Sequence, residues 1–322
     1  MKKVLLVGAG PMAVEYAKVL RDISMPFEVV GRGAASADSF AAATGTSPSV
    51  GGLAKWLSGN NAGKFSEAVV AVGERQLGDA ARQLISARVG RILVEKPGAF
   101  DGKEIRSLNE LARTSGVECF VGYNRRHYAS VSRAQEIIEG DGGVSSFQFE
   151  FTEWSHRIKD LKKEPGVLSQ WFLHNSTHVI DMAFFLGGWP ASMRSYKRGD
   201  LSWHPAGSVF TGAGVAASGA LFAYCANWEA PGRFALEVLT KRHRLIFRPL
   251  EGLKVVQIGS VKEEEVTLED QLDRAFKPGL WRQTKVFLEG RSTAALCPIA
   301  EQVRNLTVYE AILNGTSFDG AA

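Results

Sequence analysis

The sequence predicts an α/β protein in two parts: a doubly wound parallel sheet, followed by an α+β half with a large, open, mostly antiparallel sheet. Three observations predict it. The first 122 residues alternate short β-branched runs with helical stretches, the rhythm of strands joined by helical crossovers. Beyond Tyr123 the pattern turns to period-two runs separated by short turns, as a sheet of hairpins requires. The length of 322 residues also exceeds the ~250 to 300 that one hydrophobic core holds. A first domain over 1–122 and a second over 123–322 follow.

In order along the chain, strands are expected at 3–7, 27–30, 68–72, 91–94 and 118–122, with helices at 11–21, 77–87 and 103–115 between them. A helix through Ile138 opens the second part. A period-two run at 146–151, a helix at 170–186 and further runs at 217–228, 234–239, 244–249 and 253–258 follow. A closing helix at 298–313 has the option of packing back on the first domain. No internal repeat or low-complexity linker interrupts the pattern.

Apolar residues make up 45% of the chain and charged residues 22%, which suits a folded globular protein and excludes disordered or collagen-like classes. The net charge is +4 with no long basic block, so nucleic acid has no electrostatic footprint here and a small-molecule partner is expected. No run approaches the ~18 apolar residues of a membrane helix. The lysines ahead of the first apolar run resemble a signal peptide, but that run meets Gly8 after four residues and reads as a strand. Cys119, Cys225 and Cys297 are widely spaced and odd in number, which points to a reducing, cytoplasmic compartment and no disulfide framework.

The chemistry begins at VLLVGAGPMAVEYAKVL. Gly8, Gly10 and Ala13 stand at G-x-G-x-x-A spacing after a predicted strand and before an amphipathic helix. Gly8 permits the turn, Gly10 lets backbone approach a pyrophosphate, and Ala13 lets helix and strand pack closely. Pro11 suits the first helical position, and the helix start at Pro11 and Met12 directs N–H groups at the phosphates. The second strand ends at Val30 and is followed by Gly31-Arg32-Gly33. An acidic residue there would take the ribose hydroxyls of NAD, whereas Arg32 favours the 2′-phosphate of NADP. Glu28 lies inside the strand and is less well placed; NAD stays possible if Arg32 merely faces solvent.

The run Arg91 to Pro97 reads as a strand ending in Glu95-Lys96-Pro97. That leaves Lys96 at the carboxyl edge of the sheet, where such folds bind ligands and where its charge would favour a developing alkoxide. With Gly8 to Ala13 upstream, Gly-Tyr-Asn-Arg-Arg at 122–126 downstream and the pair His178 and Asp181 beyond, the sequence resembles the Gfo/Idh/MocA (glucose-fructose oxidoreductase / inositol dehydrogenase) family over essentially its whole length.

The resemblance implies an N-terminal Rossmann domain, a C-terminal domain whose open sheet serves a homodimer or homotetramer, and NAD(P)-dependent oxidation or reduction of a sugar, cyclitol or nucleotide-linked sugar. It implies that Lys96 lies at the reacting carbon and that Gly8, Gly10, Arg32, Glu95 and Lys96 line the cofactor. Gly73 and the loop Glu74-Arg75-Gln76 stand where the family has a small-Thr-Pro stretch beside the ribose, and they depart from it.

The family's active-site helix carries D-x-x-x-H-x-x-D; this chain reads His174-Asn-Ser-Thr-His178-Val-Ile-Asp181, with His174 in the place of the first aspartate. Four-residue spacing puts both histidines on one face of a helix. A histidine exchanges protons near neutrality, so His178 would serve the substrate oxygen while His174 contacts the substrate from one turn earlier and Asp181 orients His178. The alternative is a hydrogen-bonded helix histidine beside a packing substitute, in a cofactor-binding regulator without catalysis. His-x-x-x-His is also metal-ligand spacing, but with no protease-type glutamate or third ligand no metal is expected. Arg126 and Trp171 complete the expected substrate contacts. Reduction of a C=N or C=C bond is a further alternative.

Overall fold

The computed structural model describes residues 3–290 and 294–320. The chain divides into two compact units, Met1–Asn124 with Leu272–Val303, and Arg125–Gln271 with the chain from Arg304 onward. The first division falls two residues beyond the expected 122. The larger difference is that 272–303, expected in the second domain, groups with the first. The closing helix, Ile299–Asn314, contains the second division, after Val303.

In the first unit, β1 (Val4–Val7), β2 (Phe27–Val30), β3 (Glu67–Val70), β4 (Arg91–Glu95) and β5 (Glu118–Gly122) form a parallel sheet. Their spatial order is β5-β4-β3-β1-β2, and Cys297–Pro298 extends the β5 edge antiparallel. β1 and β3 are buried at every position, as central strands covered on both faces must be; β1 is wholly apolar, and β3 opens with the buried Glu67. Helices α1 (Pro11–Asp22), α4 (Leu77–Ser86) and α5 (Gly102–Ser115) stand where expected. Two more, α2 (Ala34–Thr44) and α3 (Leu53–Gly59), were not expected. The first is a run of alanine and serine with no apolar stripe to betray it, closed by Gly45 in the left-handed region. Helix Leu280–Glu289 returns to this unit because Leu280, Phe287 and Leu288 complete the core around Val4, Leu6 and Tyr16.

The second unit carries a nine-stranded sheet. Its central members are β6 (Ser146–Glu150), β7 (Pro190–Arg198), β8 (Val209–Ala216), β9 (Leu221–Asn227) and β10 (Ala235–Leu239). With β11 (His243–Phe247), β12 (Lys254–Gln257) and β13 (Glu264–Glu265), the order is β13-β12-β11-β10-β6-β9-β8-β7, closed by Ser317–Asp319. Only β6 and β9 pair in parallel, so the sheet is mostly antiparallel. The expected strand over 217–228 is shorter, and β7 and β8 were missed because alanine, glycine and serine dilute their alternation.

One face of this sheet is covered by α8 (Thr177–Gly187), which packs on β6 and β10; α6 (Ala129–Gly140) opens the unit. Phe184 of α8 meets Phe147, Phe149 and Phe222 with ring centroids 6.0, 5.5 and 5.2 Å away, edge to face. The other face is open. Tyr196, Thr211 and Cys225 form one exposed cross-strand row; Val215 and Leu221 belong to another. Among the described residues no helix is long and apolar enough to cross a membrane, and all three cysteines are free thiols.

Candidate functional site

The β1–α1 turn is built as the glycine spacing predicts. Gly8 has φ +125°, and a Cβ there would lie 2.7 Å from the carbonyl carbon of Ala71 and nearer still to its oxygen, so only glycine fits against β3. Gly10 differs: its φ of −88° suits any residue, and a Cβ would meet nothing within 4 Å. Its smallness is therefore not needed by the unit's own packing, and it leaves space above the turn for a ligand's backbone approach. Helix α1 begins at Pro11 with no acidic residue in its first turn, so the helix start presents N–H groups and a positive dipole end without a competing carboxylate. These residues fit a dinucleotide's pyrophosphate.

Strand order gathers the other expected cofactor residues. β1 lies between β2 and β3, parallel to both, and the order in which successive strands are added reverses there, which makes the carboxyl ends of β1 and β3 the switch point at which open α/β sheets bind ligands. Register aligns Val7 with Val30 and Val70, and Val70 with Val94. Gly8, Gly31-Arg32, Gly73 and Glu95-Lys96 consequently follow the ends of adjacent strands along one edge. Arg32 is exposed at the end of β2 and makes no ion pair among the described residues. Glu28, at the other end of that strand, is held by Lys3 (2.8 Å) and Lys64 (3.4 Å), whose bonds keep its carboxyl below the usual range. The only acid in β2 is thus committed away from the edge.

At the end of β4, Tyr16 donates to Glu95 Oε1 (2.7 Å) and accepts from Gln283 Nε2 (3.1 Å). This chain ties α1, β4 and helix Leu280–Glu289 together beneath the lysine. Burial pushes the Glu95 carboxyl up, while Tyr16, Lys96 and Lys277 pull the other way. Lys96 is half-buried, and Pro97 ends the strand after it.

In the second unit the histidine helix departs from the expected single α-helix. A short 3-10 turn, Leu168–Gln170, leads into π-helical winding over Phe172–Ser176, and α8 starts only at Thr177. His174 lies in the wide turn and His178 in the α-helix; both are buried. Four-residue spacing assumed one regular winding, so its one-face geometry does not carry across this junction. Such π-bulges occur frequently at functional sites. Asp181, expected to orient His178, accepts at both oxygens from Arg126, Nε to Oδ2 at 2.8 Å and Nη2 to Oδ1 at 2.5 Å. Arg126, expected at the substrate, is 4% exposed and lies over the Phe185 ring. Its forked donors are turned into the unit, where they fix the helix that carries His178. Trp171 is half-buried, edge-on to Trp203 at 6.5 Å.

The structure adds Glu153, which sequence reasoning passed over. It follows β6, is 1% exposed, and accepts at Oε1 from Asn175 Nδ2 (2.7 Å) and Ser176 Oγ (3.0 Å), both in the π-helical turn. Burial pushes its carboxyl up, against the pull of Asn175, Ser176 and Arg233. Glu153, Trp154, His156, Lys159, Trp228 and Gly232 line a cavity of about 590 Å³, a size typical of small-molecule sites. The sequence signal was an acid two residues beyond the period-two run, beside Trp154.

A parallel sheet with this strand order, this glycine turn and a ligand edge at its switch point defines a dinucleotide-binding class. Residues 2–123 match the family model of oxidoreductases with an NAD-binding Rossmann fold, Gfo/Idh/MocA. The likeness to that family of NAD-binding oxidoreductases covers the first domain. Comparison with curated proteins finds no match.

Among solved structures, the chain is similar to an oxidoreductase from Agrobacterium radiobacter in complex with NAD+, L-tartaric acid and magnesium, at 13% identity over 99% of this chain and 98% of that one, TM-score 0.78. It is similar to levoglucosan dehydrogenase with NADH and L-sorbose, at 17% identity, 99% of both chains and TM-score 0.78. It is also similar to UDP-N-acetylglucosamine 3-dehydrogenase from Acidithiobacillus ferrooxidans, at 16% identity, 98% and 97% of the chains and TM-score 0.74. At such identities the likeness carries the fold.

Proposed function

We propose that this protein is a cytoplasmic, NADP-preferring oxidoreductase that moves a hydride between nicotinamide and a sugar-like hydroxyl or carbonyl. The observation that carries the reading is the single sheet edge along which Gly8, Gly10, Arg32, Gly73, Glu95 and Lys96 fall, with open space at Gly10. Arg32, exposed and unpaired beside the first turn of α2, supports the 2′-phosphate. The nicotinamide, when bound, supplies the hydride chemistry. Lys96 stabilises negative charge on the substrate oxygen, and His178 gives or takes its proton. His174 and Trp171 contact the substrate, and Arg126 holds Asp181 and with it the histidine helix. The sugar and nucleotide-sugar dehydrogenases among the similar folds support the substrate class. The exposed rows around Tyr196, Val215 and Leu221 suit a homo-oligomer formed through the open sheet.

Purified protein assayed with both nicotinamide cofactors against a panel of sugars, cyclitols and nucleotide sugars tests this. Turnover should fall roughly 10²- to 10⁴-fold in Lys96→Ala and in His178→Ala, and in His178→Ala NADPH affinity should stay within a few-fold. NADPH binding without turnover of any panel member would overturn the enzyme assignment in favour of a cofactor-binding regulator, the reading that His174 in place of an aspartate favours.

A further inference from the structure

We propose that Arg125 and Arg233 form an anion-recognition site that selects substrates carrying a carboxylate or phosphate group. The proposal rests on the oxidoreductase reading and narrows its substrate class. Arg125 opens the second unit and is half-buried. Its Nε and Nη1 are shielded from solvent and have no hydrogen-bond partner. Desolvated guanidinium donors without acceptors are costly, and a buried polar group left in that state calls for a specific explanation, such as a ligand that completes it.

The surroundings add positive charge. The Arg125 guanidinium carbon lies 4.9 Å from the centroid of the Phe234 ring, and that of Arg233 lies 4.0 Å from the same centroid. An aromatic face attracts these cations but gives their N–H groups no oxygen acceptor. Arg125 makes no ion pair among the described residues. Arg233 faces Glu153 at 3.6 Å, beyond ordinary hydrogen-bond length, and also feels the charge of Glu251. The other oxygen of Glu153 is already engaged by Asn175 and Ser176. Neither carboxylate accepts from Arg125 Nε or Nη1.

Arg233 also reaches the wall of the 590 Å³ cavity: besides facing Glu153, it lies 4.6 Å from the ring of Trp154, and both residues line that space. Arg157 approaches the same ring at 4.9 Å, and Lys159 lines the cavity as well. A cavity with an aromatic wall and guanidinium groups stacked on that wall's Trp154 matches a sugar ring bearing an anionic group, because a guanidinium binds carboxylate or phosphate oxygens in pairs.

Calorimetric titration of the full chain with D-glucose, D-glucuronate and D-glucose 6-phosphate, with and without saturating NADPH, tests the site. At least one charged sugar should bind about tenfold tighter than glucose or better. Which one does so distinguishes carboxylate from phosphate. Arg125→Met and Arg233→Met should each remove most of that preference without changing glucose affinity, Arg125→Lys should keep part of it, and added salt should weaken it. Equal binding of charged and neutral sugars, no binding of either charged sugar, or a preference that survives in a folded double methionine variant would overturn the proposal. NADPH binding in the same titrations is read separately, so failure of the cofactor reading leaves the arginine result standing on its own.

Discussion

At Gly8–Met12 the candidate cofactor cradle is made of backbone: a turn, a helix start and two glycines, one confined by Ala71 and one facing open space. At His174–Asp181 the candidate catalytic region is made of side chains held by other side chains, with Arg126 gripping Asp181 and Glu153 receiving Asn175 and Ser176 across a π-helical turn. The first region needs little beyond its own residues and the neighbouring strand. The second depends on residues 22 to 55 positions away in sequence. Backbone sites of the first kind tolerate change only where no Cβ is required to fit. Side-chain sites of the second kind fail when one distant partner is removed.

Removing Arg126 should have the largest effect on this contrast. Arg126→Ala takes two charge-assisted hydrogen bonds from the buried Asp181 carboxylate and should cost on the order of 3 to 5 kcal/mol in urea unfolding; a loss below about 1 kcal/mol would mean the second region does not lean on its distant partner. Next, Gly8→Ala should destabilise by about 2 to 3 kcal/mol through its left-handed φ and the Ala71 carbonyl. Gly10→Ala should stay within about 0.5 kcal/mol in the same assay yet weaken NADPH binding, which separates the ligand's demand from the fold's. Equal destabilisation by the two glycine changes would break that distinction.

Arg32→Asp should lower the preference for NADPH over NADH by about tenfold or more, read from the two dissociation constants, since one charge-assisted phosphate contact is lost. An unchanged ratio would remove Arg32 from the cofactor site. The smallest effect concerns Glu153. Its carboxyl is raised by burial, so between the ordinary glutamate value of ~4.3 and its higher folded value the folded state holds a proton that the unfolded chain lacks. Wild-type stability therefore falls as pH rises through that window, and thermal melts of Glu153→Gln should show a shallower decline there, with the two slopes alike below it.

Much of the first unit was legible because its rules are local. The apolar strand Val4–Val7, G-x-G-x-x-A before an amphipathic helix, and Glu95-Lys96-Pro97 at a strand end each announce themselves within one window. The alanine-rich α2 did not, since its helix rests on propensity and packing without an apolar stripe. The return of Leu280–Glu289 to the first core could not be read either, because its partners Val4, Leu6 and Tyr16 lie some 260 residues away or more.

The amino-acid order by itself determined the strand and helix rhythm of the first unit, the phosphate-binding turn, the arginine at the end of β2, and the chemical types at 96, 174 and 178, since each depends on neighbours in the chain. Tertiary structure decided which polar residues face one another: Arg126 on Asp181, Glu153 on Asn175 and Ser176, Arg125 beside Arg233 over one phenylalanine ring. It also decided the π-helical winding at His174. The physical reason is that charge pairing, desolvation and close packing act through space, and only folding sets which distant residues share that space.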